Sequence, residues 1–275
     1  LIKQFYKSNT PIEIIGSGSK RNIGKPLQCA KTLSLSKLSG IIEYLPEELY
    51  IKVKAGTRIY EIENELKKNK QQLAFEPIDF GFLFLGKSDC GTAAGQVACN
   101  ISGPRRFRSG STRDHILGFR AVNGRGEIIK SGGTVVKNVT GYDLSKLICG
   151  SYGTLATLTE ITFKVLPLEE ESKTLVIHNL SIDSAPDYLE KSLSSSNDVS
   201  GASFLPVEPI CKDCEMNIEK VFKLNDLKND GSITAIRIEG SKKSIDKRIQ
   251  NLKKELKVLD INTSELDTLQ SEMFW

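Results

Sequence analysis

The uneven distribution of glycine is the feature of this sequence that most constrains its fold. Nineteen of the 22 glycines precede Pro167, and only Gly201, Gly231 and Gly240 follow it. Glycine supplies the positive-φ backbone that tight turns and close backbone approaches require, so the demands on the backbone change sharply near residue 167. A chain of 275 residues is long enough for about two domains. We therefore predict domains over residues 1–167 and 168–275.

Hydrophobic periodicity in the first domain predicts short strands that alternate with helices. The run LYIKVKAG (49–56) alternates as a strand does, and Ile59, Ile62 and Leu66 follow at helical spacing. Asn123-Gly124 predicts the positive-φ turn of a hairpin. The hairpin covers residues 115–133, and a closing strand is predicted over residues 160–167. This order indicates an α/β or α+β unit.

The second domain has the pattern of a small α+β sandwich. Ile245, Ile249, Leu252 and Leu256 form one apolar stripe, which predicts an amphipathic helix whose lysines face water. The predicted elements, in chain order, are a strand over 174–180, a helix over 184–193, strands over 199–206 and 232–240, and a helix over 244–256.

Composition excludes several classes of partner and location. With 38 Lys and Arg against 34 Asp and Glu, the net charge of +4 is too small to indicate nucleic acid or an anionic membrane surface. No apolar run approaches the roughly 18 residues of a transmembrane segment. Six cysteines scattered along the chain are not typical of a disulfide scaffold, so a reducing compartment is favoured. We therefore expect a cytoplasmic protein that binds a small molecule or another protein.

The stretch EIIGSGSKRNIGKP (13–26) nearly matches two phosphate-binding loops and fits neither. A dinucleotide-binding loop would carry its third glycine at Arg21, and a Walker loop would start at Ser19 and bind magnesium at Pro26. The glycines can still present consecutive N–H groups to an anion, with Lys20 adding positive charge. A simple tight turn between a strand and a loop is the alternative.

Two more glycine-rich regions occur in the first domain. CGTAAGQVACNISGPRR (90–106) has small residues where a bulky side chain would hold a ligand away from the backbone. GGTVVKNVTGYDLSKLICGSYGTLATLTE (132–160) interleaves glycines with polar residues and runs into the closing strand. Three such regions in one domain are hard to attribute to turns alone.

The strings IIGSGSK, NISGPRR, TRDHILG, VVKNVTGYDLSKL and GSYGTLATLTEITFKVLP together resemble the FAD-binding domain of the vanillyl-alcohol oxidase (PCMH) type. More narrowly, they resemble the FAD-binding E subunits of bacterial glycolate oxidases. The resemblance covers about residues 10–170, and beyond them only the length and position of a cap domain agree. It implies an α+β fold, with an FAD-binding domain of two α/β subdomains followed by a small α+β cap domain. Because the chain stops at SEMFW (271–275), inside a predicted helix, we expect the cap domain to be incomplete at its C-terminus.

The resemblance also implies which residues bind FAD. The first loop would hold the pyrophosphate, and its Ser19 and Lys20 leave no histidine for covalent attachment, so we expect non-covalent FAD. Ala94 and Ala156 stand where relatives have glycine, which puts close contacts there in doubt. Lys137 and Asn138 would lie nearest the flavin ring. The full expected set is Gly16, Ser17, Gly18, Ser19, Lys20, Thr92, Ala94, Gly95, Ala98, Asn100, Gly103, Gly110, Arg113, Lys137, Asn138, Leu158 and Thr159.

Other chemistry-bearing residues have ordinary structural explanations. His115 and His178 are the only histidines, which leaves little for a metal centre or a histidine base, and both are expected to pack structurally. The Cys211 and Cys214 pair lacks a second pair, so two ordinary thiols are favoured and no metal is predicted. Asp143 either begins a helix or acts near the flavin.

The implied function is redox chemistry within a complex. The family oxidises glycolate, or a similar 2-hydroxy acid, together with a larger catalytic flavin subunit and an iron–sulfur subunit. Because this chain has no obvious base, we expect primary catalysis on the partner, and any membrane association through the complex. The alternatives are a structural subunit whose FAD stabilises the fold and a self-sufficient flavin oxidoreductase acting on another substrate.

Overall fold

A computed structural model describes residues 1–25, 27–133, 142–206 and 231–275. The chain divides into two compact units, Leu1–Leu168 and Glu169–Trp275. No helix within the described residues is long and apolar enough to cross a membrane.

The first unit contains two main sheets. A parallel pair of strands, β1 and β2, carries the first glycine-rich loop between its members. A five-stranded antiparallel sheet has the order β3-β4-β8-β6-β7, and β5 pairs with β9. The strands are β1 (Ile12–Ile15), β2 (Lys31–Ser34), β3 (Ile41–Leu45), β4 (Tyr50–Lys54), β5 (Gln71–Gln72), β6 (Ile116–Asn123), β7 (Ile128–Gly132), β8 (Ala156–Lys164) and β9 (Leu166–Pro167).

Helices pack on one face of the five-stranded sheet. Ile62 and Leu66 of the amphipathic helix α2 are fully buried, as the apolar spacing predicts, and share one core with Ile161 and Phe163 of β8. Val97, on a second helix, completes this core. The helices of the unit are α1 (Ile2–Lys7), α2 (Ile59–Lys68), α3 (Gly81–Leu85), α4 (Ala93–Cys99), α5 (Arg106–Ser109) and α6 (Leu144–Ile148).

The predicted hairpin is present, but its turn differs from the prediction. Gly126, not Asn123-Gly124, has the positive φ, at 82°. The Asn123 side chain accepts hydrogen bonds from the N–H groups of Arg125 and Glu127, both at 3.0 Å. These bonds favour a three-residue loop closed by a left-handed glycine over the two-residue turn.

The second unit is a four-stranded antiparallel sheet with the order β11-β12-β10-β13. Ile245 and Ile249 of α8 cover one face of the sheet, and Phe274 of α9 packs on the other. The elements are β10 (Glu171–His178), α7 (Ala185–Leu193), β11 (Val199–Leu205), β12 (Ile233–Gly240), α8 (Lys242–Glu255), β13 (Thr263–Leu266) and α9 (Thr268–Phe274).

The α9 side of this sheet buries charge. The Arg237 and Glu239 side chains on β12 are 3% and 4% exposed, and Nε of Arg237 lies 3.6 Å from Oε2 of Glu239. The Arg237 guanidinium also donates to the Ser200 carbonyl at 3.1 Å and lies 4.9 Å from the Trp275 ring centre. The cluster is therefore an ion pair with additional hydrogen bonds and aromatic packing.

Candidate cofactor site

The first glycine-rich loop follows β1 and is shaped to bind an anion. Gly18 has φ of 80°, a conformation that other residues rarely adopt. Within the described part of the chain, no group accepts a hydrogen bond from the backbone N–H groups of Ser17, Gly18, Ser19 or Lys20. Consecutive N–H groups without internal acceptors form the kind of nest that binds phosphate. The anion-binding explanation of this loop is therefore favoured over the simple turn.

The loop approaches α4 so closely that only glycine fits at position 16. A Cβ atom on Gly16 would lie 2.2 Å from Oγ1 of Thr92. A Cβ atom on Gly95 would lie 3.0 Å from the same oxygen and 4.0 Å from Nζ of Lys20. Gly16, Lys20, Thr92 and Gly95 therefore meet, although they come from two distant glycine-rich regions.

The first N–H groups of α4 already donate hydrogen bonds within the protein, so they are not free to bind an anion. The N–H groups of Ala93 and Ala94 donate to the carbonyls of Thr57 and Ala55, both at 2.9 Å, and the Gly95 N–H donates to Oγ1 of Thr92 at 3.3 Å. The N–H of Ala94 is therefore occupied, and its methyl group lies in the buried apolar core. Its predicted contact with FAD stays a prediction.

Lys20 supplies positive charge beside the loop. Burial lowers the pKa of its ammonium group, while Cys99 and Asp79 nearby raise it in part. Its Nζ lies 6.0 Å from the centre of the Phe80 ring. Because this charge is poorly solvated in the free protein, an anion bound in the loop would be its natural partner.

We expect Lys20→Met to weaken FAD binding roughly 10- to 100-fold, because a hydrogen bond to a charged group contributes about 1.5–3 kcal/mol. The unfolded chain binds more protons than the folded chain between the lowered pKa and the usual value, so charged Lys20 costs stability at neutral pH. The FAD-free variant should therefore be at least as stable as the wild type. FAD titrations from pH 7 to 10 should show affinity falling with rising pH in the wild type only.

Lys25→Met provides the matched control, since Lys25 is exposed and belongs to the same loop. It should leave the FAD affinity and its pH dependence unchanged. Equal losses in the two variants would assign the effect to general charge and contradict a specific role for Lys20.

The residues predicted from the NISGPRR region and the turn after it are explained by packing within the protein. Oδ1 of Asn100 accepts the Arg113 N–H at 3.1 Å. A Cβ atom on Gly103 would lie 2.6 Å from Cβ of Glu76, and one on Gly110, whose φ is 85°, would lie 2.9 Å from Oδ2 of Asp114. The Ala98 carbonyl accepts the Tyr152 N–H at 2.8 Å. Their predicted contacts with FAD stay predictions.

Two predicted residues, Leu158 and Thr159, lie in the paired part of β8. Leu158 is buried in the core, and the Thr159 carbonyl accepts the Ala55 N–H at 2.9 Å. A groove of about 580 Å³ is lined instead by residues 153–157, together with Ile12 and Ile14 of β1. The groove lies just before these two residues, and their predicted contacts with FAD stay predictions. The mostly small residues of GTLAT (153–157) were the feature of the sequence that could have indicated this groove.

The remaining expected residues fall into two groups. Lys137 and Asn138, together with the Cys211 and Cys214 pair, lie outside the described residues. His115 is buried and its Nε2 bonds to the Ser109 carbonyl at 2.8 Å, which confirms structural packing. The Asp143 side chain caps α6 by accepting the Lys146 N–H at 3.4 Å, so its helix-start role is confirmed.

Comparison with known proteins now defines the class of the first unit. A family model described as the FAD binding domain matches residues 1–132. Alkyldihydroxyacetonephosphate synthase shares the fold with a TM-score of 0.71, at 18% identity, over 98% of this chain and 49% of that one. The predicted α+β fold class, an FAD-binding domain followed by further α+β structure, is confirmed, and FAD is the cofactor that the matching family model describes.

The sequence is similar to named oxidoreductases. It is 43% identical to glycolate oxidase subunit GlcE of Escherichia coli over 174 residues, which are 63% of this chain and 47% of that protein. It is 36% identical to D-lactate dehydrogenase of Anaerostipes hadrus over 53% of this chain and 29% of that one. It is 32% identical to glycolate oxidase subunit GlcD of Bacillus subtilis over 64% of this chain and 36% of that protein. The chain thus spans less than half the length of these relatives.

Proposed function

We propose that this chain is the FAD-binding subunit of a complex that oxidises glycolate, or a similar 2-hydroxy acid, to the 2-oxo acid. The similarity to a glycolate oxidase subunit and to a D-lactate dehydrogenase supports this substrate class. The structural observation that carries it is the loop of residues 16–20, where the N–H groups of residues 17–20 have no acceptor among the described residues and Lys20 is half-buried. The partners are a larger catalytic flavin subunit and an iron–sulfur subunit, in a cytoplasmic complex whose membrane association comes through the partners.

The chain's own residues hold the cofactor. The N–H groups of Ser17 to Lys20 would hold the FAD diphosphate, and Gly16 allows this loop to lie against Thr92. The groove beside residues 153–157 and β1 is the space that we assign to the adenosine end. Bound FAD supplies a two-electron acceptor that can release electrons singly.

Primary catalysis is assigned to the partner because neither histidine is placed as a base. Burial lowers the pKa of His115, whose Nε2 bonds to a backbone carbonyl. His178 bonds through Nε2 to the Ser264 hydroxyl at 2.9 Å. Among the described residues, no group of three or more His, Cys, Asp or Glu side chains is placed to hold a metal.

The test compares the full-length protein alone with the same protein in its complex. Anaerobic addition of glycolate should leave the flavin absorption of the isolated protein unchanged and bleach it in the co-purified complex. Rapid bleaching without partners would support a self-sufficient oxidoreductase. A flavin in this chain that stays oxidised in the reduced complex would support a structural role for FAD.

A further inference from the structure

Residues 79–90, here called the apolar loop, leave the body of the first unit and return to it at nearly the same point. The Asp79 carboxylate accepts the N–H groups of Gly81 and Cys90, both at 3.0 Å, and so ties the two ends together. The Cys90 carbonyl accepts a hydrogen bond from Nη1 of Arg58 at 2.7 Å and another from the Ser17 hydroxyl. The base of the loop is therefore fixed, as in compact Ω-loops.

Packing at the base adds to this rigidity. A Cβ atom on Gly81 would lie 2.5 Å from the Lys87 carbonyl oxygen and 2.5 Å from Cβ of Cys90. The backbone of the short helix α3 thus contacts the end of the same loop, at residues 87–90. A fixed conformation lowers the entropy lost when such a loop docks on a partner.

The tip of the apolar loop presents large apolar side chains to water. Phe82 and Leu83 are 69% and 68% exposed, and Leu85 is also exposed. Leu85 and the exposed Leu27 line one groove of about 430 Å³ together with Gly18 and Arg21, so this surface borders the loop that we assign to FAD. Single exposed apolar residues are ordinary, but a cluster on a fixed loop is typical of an interaction surface.

The charges around the loop favour a protein partner over an anionic membrane. The Arg21 and Glu13 side chains in the groove form an ion pair at 2.8 Å, which is neutral overall. Lys87 is offset by Asp89 two residues later. Binding to anionic lipid would call for a basic excess around the apolar residues. Two of the relatives are named as subunits, which points to a protein.

We infer that the apolar loop and Leu27 are the docking surface for an apolar recess on the larger flavin subunit. This inference rests on the proposed function. Phe82 and Leu83 are the anchors, because buried aromatic and aliphatic side chains at the centre of an interface carry most of its binding energy.

The experiment uses the full-length protein and the homologue of glycolate oxidase subunit GlcD from the same organism. The test variant is Phe82→Ser/Leu83→Ser. The matched control is Ile182→Ser/Leu269→Ser in the second unit, whose side chains are 70% and 72% exposed. We expect the test variant to bind the larger subunit more than tenfold more weakly, and the control to bind normally. The FAD-induced thermal shift should be kept in both, which shows that both are folded.

The outcomes separate this inference from the proposed function. If the wild-type protein does not bind the larger subunit, the subunit role fails and the inferred partner with it. If the wild type and the test variant bind equally, only the inference is overturned. Flotation with anionic phospholipid vesicles that is lost in the test variant would replace the protein partner with a membrane. Self-association lost in the test variant would replace it with a second copy of the chain.

Discussion

Gly18→Asp should abolish FAD binding while leaving most of the fold intact. Its φ of 80° disfavours any Cβ, and the new carboxylate would stand beside the free N–H groups and repel the diphosphate. At about 100 times the dissociation constant, FAD should stabilise the wild type by roughly 2.7 kcal/mol. That corresponds to about 5–10 °C in melting temperature for a chain of this size. Thermal melts with and without FAD should show no shift in the variant.

Gly24→Asp is the control variant. It distinguishes loss of the N–H groups that bind the diphosphate from a general effect of backbone strain. Gly24 has φ of 86°, and a Cβ atom there would meet no atom within 4 Å. The control thus carries the same backbone strain and the same added charge a few residues away. It should keep the FAD-induced shift. If both variants lose the shift equally, the loop of residues 16–20 does not hold the diphosphate.

Arg237→Met should destabilise the second unit by about 3–5 kcal/mol, the usual cost of removing one partner from a buried ion pair. The substitution leaves the buried Glu239 carboxylate without its arginine and removes the hydrogen bonds to Ser200. Hydrogen exchange of β12 amides in increasing urea measures the free energy of unfolding for this sheet directly. FAD binding by the first unit should be unchanged.

Two comparisons check the reason for this loss. The double variant Arg237→Met/Glu239→Leu should be more stable than the single variant, because it removes the buried carboxylate together with its arginine. Lys173→Met removes the ion pair with the exposed Asp246 and should cost less than about 1 kcal/mol. A loss of similar size for Lys173→Met would contradict burial as the cause.

Most of the regular structure could be predicted from the sequence because it is local. Apolar residues alternate over residues 49–56 and form a stripe from Ile245 to Leu256, and each pattern marks one buried face. The strand β4 and the helix α8 form at these positions. Burial of Arg237 could not be predicted in this way. Charged residues at alternate positions of a strand indicate a solvent-facing side, and here α9, about 30 residues later, covers that side.

The site shows the same division between local and distant causes. A glycine-rich loop after an apolar strand indicated anion binding, because the required backbone conformation belongs to those residues alone. The contact of Gly16 with Thr92 depends on how two regions 76 residues apart pack, so no local pattern could indicate it. Residues 153–157 line the groove together with Ile12 and Ile14 of β1, so their placement also depends on how two distant segments pack.

The buried methyl group of Ala94 affects how such sites can be recognised in sequences. Because that methyl group lies in the core and the N–H is already bonded, exchange between glycine and alanine at position 94 is nearly invisible to the ligand. Position 16 has no such freedom, since a single added carbon meets Thr92. A search pattern for such loops should therefore require glycine at the position of Gly16 and accept alanine at the position of Ala94.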